Sequence, residues 1–474
     1  MKLFVKSVSG IIWASINSLG VQVINLIVQI ALARILDPKV FGIMALLQIF
    51  FIVGIYLMEG GMNSSLIRMK EPKNDDFSTV FFTNLVFSLA IYLVVFCISP
   101  FIAEFYGIAE LDLLIKIFAI SFVIRSFLIR SMKFKKLTFI ELPSLLVSGV
   151  SGIFFAINGY GIWSLVYMNI IQSLVYTFMY WITSSWRPDF IFKKDLFRYH
   201  FDFGFKISIT NVFNALFDNI YNIIIGKFYS ISQLSFYNRA EQFQLLPGRI
   251  LSSTLEKVTY PMFAELQDKE KELLYSYRTL LVMIFYWLSP IMILISIAAK
   301  PIFRFLLTDK WDLMIPFFQI LLIAGIFNPM QRFNLNILRI KNKPGMILRL
   351  NFVKRIIFAL AIVLTFRFGL DVMVWAQSIS YVISFLIIEY YVGKEINYSL
   401  LAFIKDIMPT MILISCWSII AFCIYLYTLN EDSNILYVGI FIILLFMTYI
   451  LSSFIFKNHI FFETKKLVLK FIKR

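Results

Sequence analysis

Fourteen apolar runs, each close to the length of a bilayer crossing, account for most of this 474-residue chain. About 20 consecutive apolar residues in a helix span the hydrocarbon core. The first run extends from roughly Ser9 to Ala33. The others begin near Val40, Thr79, Leu111, Leu142, Ile162, Gly204, Phe236, Leu280, Leu313, Asn351, Val372, Asp406 and Ile435. In lipid every backbone polar group must be satisfied within the segment, so runs of this length fold as helices. The expected architecture is all-α and polytopic, with 14 transmembrane helices.

The residues are 60% hydrophobic and the net charge is +16. A soluble domain is nearer half apolar, so the excess belongs to surface that faces lipid. On a soluble protein such a positive balance would point to nucleic acid. Here the membrane distributes the cations, and no nucleic-acid partner is expected. Cys97, Cys416 and Cys423 all lie inside apolar runs and make no disulfide or metal spacing. The first run is too long for a signal-peptide core and contains Asn17, Gln22, Asn25 and Gln29.

Lys and Arg fall in alternate connections. Lys2 and Lys6 precede the first run, and Arg68, Lys70 and Lys73 follow the second. Arg130, Lys133, Lys135 and Lys136 follow the fourth; Arg187, Lys193, Lys194, Arg198 and Lys206 follow the sixth. Lys269, Lys271 and Arg278 follow the eighth. Arg332, Arg339, Lys341, Lys343, Arg349, Lys354 and Arg355 are assigned to the connection after the tenth, and the tail from Lys457 to Arg474 is basic. The intervening connections carry Glu104 and Glu110, or Asn158-Gly-Tyr-Gly161, or Glu431 and Asp432. This alternation places the basic connections and both termini in the cytoplasm. No connection is long enough for a catalytic domain, and His, Asp and Glu do not cluster, so an enzyme is not expected.

An offset of 193 residues brings out a weak internal match. Arg34-Ile-Leu-Asp-Pro-Lys-Val-Phe-Gly42 lies over Lys227-Phe-Tyr-Ser-Ile-Ser-Gln-Leu-Ser235, and Ser18, Asn25 and Gln29 lie over Asn211, Asp218 and Asn222. Six runs separate the copies, which implies two parallel six-helix lobes. The expected organisation is an N-lobe over 1–200, a C-lobe over 201–396, and two appended helices with a basic tail over 397–474.

Polar residues recur at helical spacing on three runs. Ser18, Gln22, Asn25 and Gln29 share one face of the first; Asn211, Asn214, Asp218 and Asn222 share one face of the seventh. Such faces turn to a bundle interior or a water-filled cavity, and their equivalent register suggests a central cavity between the lobes. The eighth run carries Arg239, Gln242, Arg249 and Glu256 on one face. An Arg at mid-membrane costs about 2.5–3.5 kcal/mol, so Arg249 requires water, a carboxylate or an anionic ligand. One reading pairs it with Glu256 or Asp218; the other gives it a ligand. Lys116 and Arg34 are further cationic candidates. Lys116 and Arg125 are read as snorkelling toward the interfaces, and Glu59 as a helix-end residue with an ion-coupling role as its alternative.

Several stretches together resemble the polysaccharide transporter family, the Wzx-type flippases of the multidrug, oligosaccharidyl-lipid and polysaccharide exporter superfamily. They are Leu32-Ala-Arg34 with Asp37-Pro38 and Phe41-Gly42; Glu59-Gly-Gly61 through Ser65-Leu-Ile-Arg68; and Asp218-Asn219 before Ile225-Gly226-Lys227. Phe236-Tyr-Asn-Arg-Ala240 leading to Leu246-Pro247, Tyr260-Pro261, and Leu306 to Trp311 complete the set. Lys227 stands where an Arg is usual, and Glu256-Lys257 adds charge where the family is commonly apolar. The resemblance implies two lobes that open alternately and a bacterial cytoplasmic-membrane location. It implies transport of an undecaprenyl-pyrophosphate-linked oligosaccharide for O-antigen, capsule or exopolysaccharide assembly, with membrane lipid and other assembly proteins as partners. It implies no cofactor and leaves the coupling ion, Na+ or H+, open. A cation-coupled multidrug exporter, and a membrane polysaccharide polymerase or glycosyltransferase, are the alternatives.

Overall fold

The computed structural model describes the backbone of residues 2–128, 134–428 and 435–472, and the side chains of residues 13, 16–128, 135–248, 259–428 and 435–466. Every regular element among them is helical. The chain opens with α1 (Lys2–Ile35), α2 (Pro38–Glu59), α3 (Met62–Arg68) and α4 (Asn74–Tyr106). Next come α5 (Glu110–Phe118), α6 (Ile120–Ser126), α7 (Phe134–Ile157) and α8 (Ile162–Thr183). α9 (Lys194–Asp218) and α10 (Ile220–Phe228) lead into the long α11 (Ile231–Glu265). α12 (Glu270–Ile297), α13 (Ala299–Leu307), α14 (Ile315–Ile340), α15 (Pro344–Thr365) and α16 (Leu370–Glu395) follow. α17 (Leu400–Thr428), α18 (Ile435–Ile455) and α19 (His459–Ile472) complete the chain.

Ten of the described helices are long and apolar enough to cross a membrane. Each of the expected runs falls on helix, but the described residues form 19 α-helices rather than 14, with a short 3-10 turn at Asp309–Met314. The fourth run breaks at Ala119 into α5 and α6, the seventh breaks at Asn219 into α9 and α10, and α3, α13 and α19 lie between or after the runs. Pro344 occupies the first turn of α15 and starts it ahead of the apolar run. Arg349, Lys354 and Arg355, assigned above to a connection, therefore lie inside a helix.

Local chemistry sets the boundaries. The Asp37 side chain accepts from the Lys39 amide at 2.8 Å and Pro38 follows at N1, so α2 starts there. Gly60 and Gly61, both with positive φ, end α2 and turn the chain into α3. The first repeat junction, Ile35 to Pro38, and its counterpart, Phe228 to Ile231, are both helix end followed by helix start. They also touch, because a Cβ on Gly42 would lie 2.2 Å from the Ile231 carbonyl oxygen.

The chain divides into two compact units, Met1–Ser235 and Phe236–Arg474. In the first, Leu46, Met62, Val80, Leu111 and Phe122 are core residues. The expected lobe boundary at residues 200–201 falls inside α9, which packs on α2 and α3. There a Cβ on Gly204 would come within 2.3 Å of the Gly60 carbonyl oxygen. In lipid, helices associate by such close packing at small residues. His200 pins the same contact: its ring nitrogens lie 2.9 Å from Ser65 Oγ and 3.2 Å from Asp76 Oδ1, all three residues buried. The second unit is centred on Phe263, Tyr277, Tyr286, Trp311, Phe333 and Phe385.

Candidate functional site

A half-buried arginine packs among apolar helices of the first unit. Arg125, near the end of α6, donates from Nε to Ser173 Oγ at 3.1 Å and lies 5.1 Å from the Phe51 ring centroid. Ser173 and Phe51 sit near the middle of α8 and α2, so the guanidinium lies beside the mid-length of those two helices. Tyr176, Glu59 and Glu141 act on it electrostatically. Glu141, on α7, accepts from Asn17 Nδ2 of α1 at 2.8 Å, which joins the first polar stripe to this cluster. Gln22, Asn25 and Gln29 continue along α1, all half-buried, and Gln22 donates to Ser18 at 3.3 Å. The cluster combines a planar cationic donor with carboxylates and amides, a set suited to phosphate and hydroxyl groups.

The other expected residues are distributed unevenly. Asn211 and Asn214 are half-buried on α9 and Asp218 is exposed at its end. The break at Asn219 interrupts the seventh stripe, and Asn222, on α10, is buried inside the first unit. Lys116 is engaged by Asp112 at 2.9 Å and lies over the Phe96 ring. Arg34 is exposed in the last turn of α1, and Glu59 is half-buried as the last residue of α2.

In the second unit Arg239 is buried, with Nη1 donating to Gln242 at 3.0 Å, and Gln242 donating to Asn238 at 2.8 Å. The side chains of Arg249 and Glu256 lie outside the described residues, although their backbone is part of α11. Lys354, halfway along α15, donates to Gln331 at 2.9 Å and faces the Phe358 and Tyr381 rings.

The family model described as "Polysaccharide biosynthesis protein" matches residues 31–316. The chain belongs to this family. Its curated relatives include the Escherichia coli "Lipopolysaccharide biosynthesis protein WzxC", 22% identical over 77% of this chain and 76% of that one. The Bacillus subtilis "Teichuronic acid biosynthesis protein TuaB" is 24% identical and covers 89% of each chain. Among solved structures, "Lipid II flippase MurJ, inward closed conformation" superposes with a TM-score of 0.72 at 18% identity, covering 94% of this chain and 99% of that one. That likeness establishes a shared fold.

Sequence periodicity passed over three residues that the structure engages inside the helical units: Arg125, Glu141 and Lys354. A signal for the first was present. Asn169, Ser173, Tyr176 and Tyr180 recur at spacings 4, 3 and 4 on the sixth run, as the amides do on the first. Lys354 was counted with its neighbouring cations as topology, although it falls within the eleventh run that begins near Asn351.

Proposed function

We propose that this chain is a flippase that carries an undecaprenyl-pyrophosphate-linked oligosaccharide from the cytoplasmic to the outer leaflet of a bacterial cytoplasmic membrane. The observation that carries the reading is the Arg125 cluster, a guanidinium with amides and carboxylates inside an apolar helical unit, in a chain of the polysaccharide biosynthesis family. The named relatives and the MurJ-like fold support it. Arg125 binds the pyrophosphate through its planar fork. The amides Gln22, Asn25, Gln29, Asn211 and Asn214 exchange hydrogen bonds with sugar hydroxyls, and the polyprenyl tail remains in lipid. Arg249, with Arg239 and Gln242 on the same helix, is the second anion candidate; Arg34 and Lys116 rank below it, Lys116 because Asp112 already engages it. Glu59, Asp218 and Glu256 are carboxylate candidates for a coupling Na+ or H+. Moving a charged headgroup through hydrocarbon needs no covalent step, so the chain works as a transporter. Both termini lie in the cytoplasm, and 14 crossings, two of them broken helices, fit the alternation of charge.

The test is deletion of the gene in its own host followed by return of variants. Wild type restores surface glycan. Arg125→Ala leaves the protein in the membrane and fails to restore it, whereas restoration to the wild-type level by Arg125→Ala refutes the assigned role.

A further inference from the structure

α12, α14 and α16 bury a carboxyl group for which the transport reading supplies no role. Glu389, on α16, is 1% exposed. Its Oε2 lies 2.7 Å from the Tyr277 hydroxyl of α12 and 2.7 Å from Asn334 Nδ2 of α14. The same hydroxyl lies 2.9 Å from Asn334 Oδ1. Its other oxygen, Oε1, is enclosed and has no hydrogen-bond partner among the described residues.

The three mutual contacts require three hydrogens. Tyr277 supplies one and the Asn334 amide supplies one toward this triangle. With Glu389 ionised, one contact sets two acceptors against each other. With Glu389 protonated on Oε2, the ring closes: Glu389 donates to the Tyr277 oxygen, Tyr277 to Asn334 Oδ1, and Asn334 Nδ2 to Oε2. Turning the amide over does not remove the need for the third proton. No Lys or Arg among the described residues is paired with Glu389 to stabilise its charge. Arg278 of α12 is held by Asp406 of α17 through two 2.8 Å bonds, and Tyr398 donates to that same Asp406 at 2.6 Å. Lys354 of α15 is engaged by Gln331, Lys394 of α16 lies over the Tyr390 ring, and Lys343 pairs with Glu395.

We propose that Glu389 is a proton-binding site: the packed arrangement of α12, α14 and α16 holds it protonated, and release of the proton accompanies entry of water at this end of the second unit. Tyr277, Asn334 and Glu389 each lie about 10 Å, six or seven residues, from the ends of their helices at Glu270, Ile340 and Glu395. Separation of those ends admits water to Oε1, and a solvated carboxylate then replaces the closed triangle. The use of this proton in transport rests on the flippase reading; its presence does not.

Infrared difference spectroscopy of the full chain in lipid nanodiscs, with Glu389→Gln as the assignment control, tests the site. A protonated-carboxyl band is expected in wild type at neutral pH, absent from Glu389→Gln and lost as the pH is raised. Spectra without that difference at neutral pH show an ionised Glu389 and overturn the proposal. A band that persists at every pH at which the fold survives overturns proton release. In the host, Glu389→Gln keeps the size and neutrality of the protonated side chain but carries no releasable proton, so the protein reaches the membrane at its normal level but surface glycan is lost. Normal glycan in that variant overturns the coupling. Failure of the wild-type chain itself to restore glycan counts against the flippase reading alone, because the infrared result still decides the proton.

Discussion

At the scale of single residues, Arg125 shows how an expensive side chain is accommodated. Its guanidinium is partly withdrawn from solvent, and Ser173, the Phe51 face and the electrostatic influence of Glu59 and Glu141 offset part of that loss. On the proposed reading, an incoming pyrophosphate would add charged hydrogen bonds that these neighbours only partly provide. Removing a charged hydrogen bond costs about 1.5–3 kcal/mol, so Arg125→Ala is expected to slow transport roughly 10- to 150-fold. Arg125→Lys keeps the charge, loses the fork and falls between the two. The measurement is surface glycan per unit of membrane-inserted protein. His200 belongs to a different class, because both its nitrogens are engaged by Ser65 and Asp76 in a buried contact. His200→Ala leaves those partners unsatisfied and is expected to cost about 1–3 kcal/mol, seen as a lower melting temperature in detergent. An unchanged melting temperature would remove His200 from the packing account. The amides of α1 were legible in sequence because spacings of 4, 3 and 4 define one helical face. The direction of Arg125 was not, because it depends on how α6 is rotated against α2 and α8.

At the scale of elements, the apolar runs foretold where helix forms but not where it breaks. Neither Ala119 nor Asn219 is a glycine or proline, and both breaks occur in runs whose composition allows continuous helix. Conversely, Pro100 and Pro143 lie inside helices that continue through them, since adjacent groups in a bundle can satisfy what a proline leaves open. The Gly204 contact is a tight packing constraint between α9 and the α2–α3 turn. Gly204→Ala drives a Cβ against the Gly60 carbonyl oxygen and is expected to destabilise by about 1–3 kcal/mol. Gly439→Ala, on α18 with nothing within 4 Å of the added Cβ, is the control and should leave the melting temperature unchanged. Equal melting temperatures for the two variants would contradict tight α9 docking.

At the scale of the whole molecule, the charge alternation makes the orientation testable residue by residue. Cys97, Cys416 and Cys423 are exposed along apolar helices and are replaced first by Ser. A single cysteine at Lys135 or Lys341 is then expected to resist an impermeant thiol reagent in intact cells, while one at Asn158 reacts. Glu431 lies outside the described residues, and a cysteine there is expected to react as well. Labelling at Lys341 without permeabilisation would invert the orientation. The central claim concerns the side on which the lipid-linked sugar is found. The direct measurement follows labelled lipid-linked repeat units in spheroplasts of the host and asks what fraction an externally added glycosidase can reach. With the wild-type chain, repeat units become accessible from outside. With Arg125→Ala present in the membrane, they accumulate and are reached only after permeabilisation. Repeat units that appear outside at the same rate when the chain is absent would contradict the account.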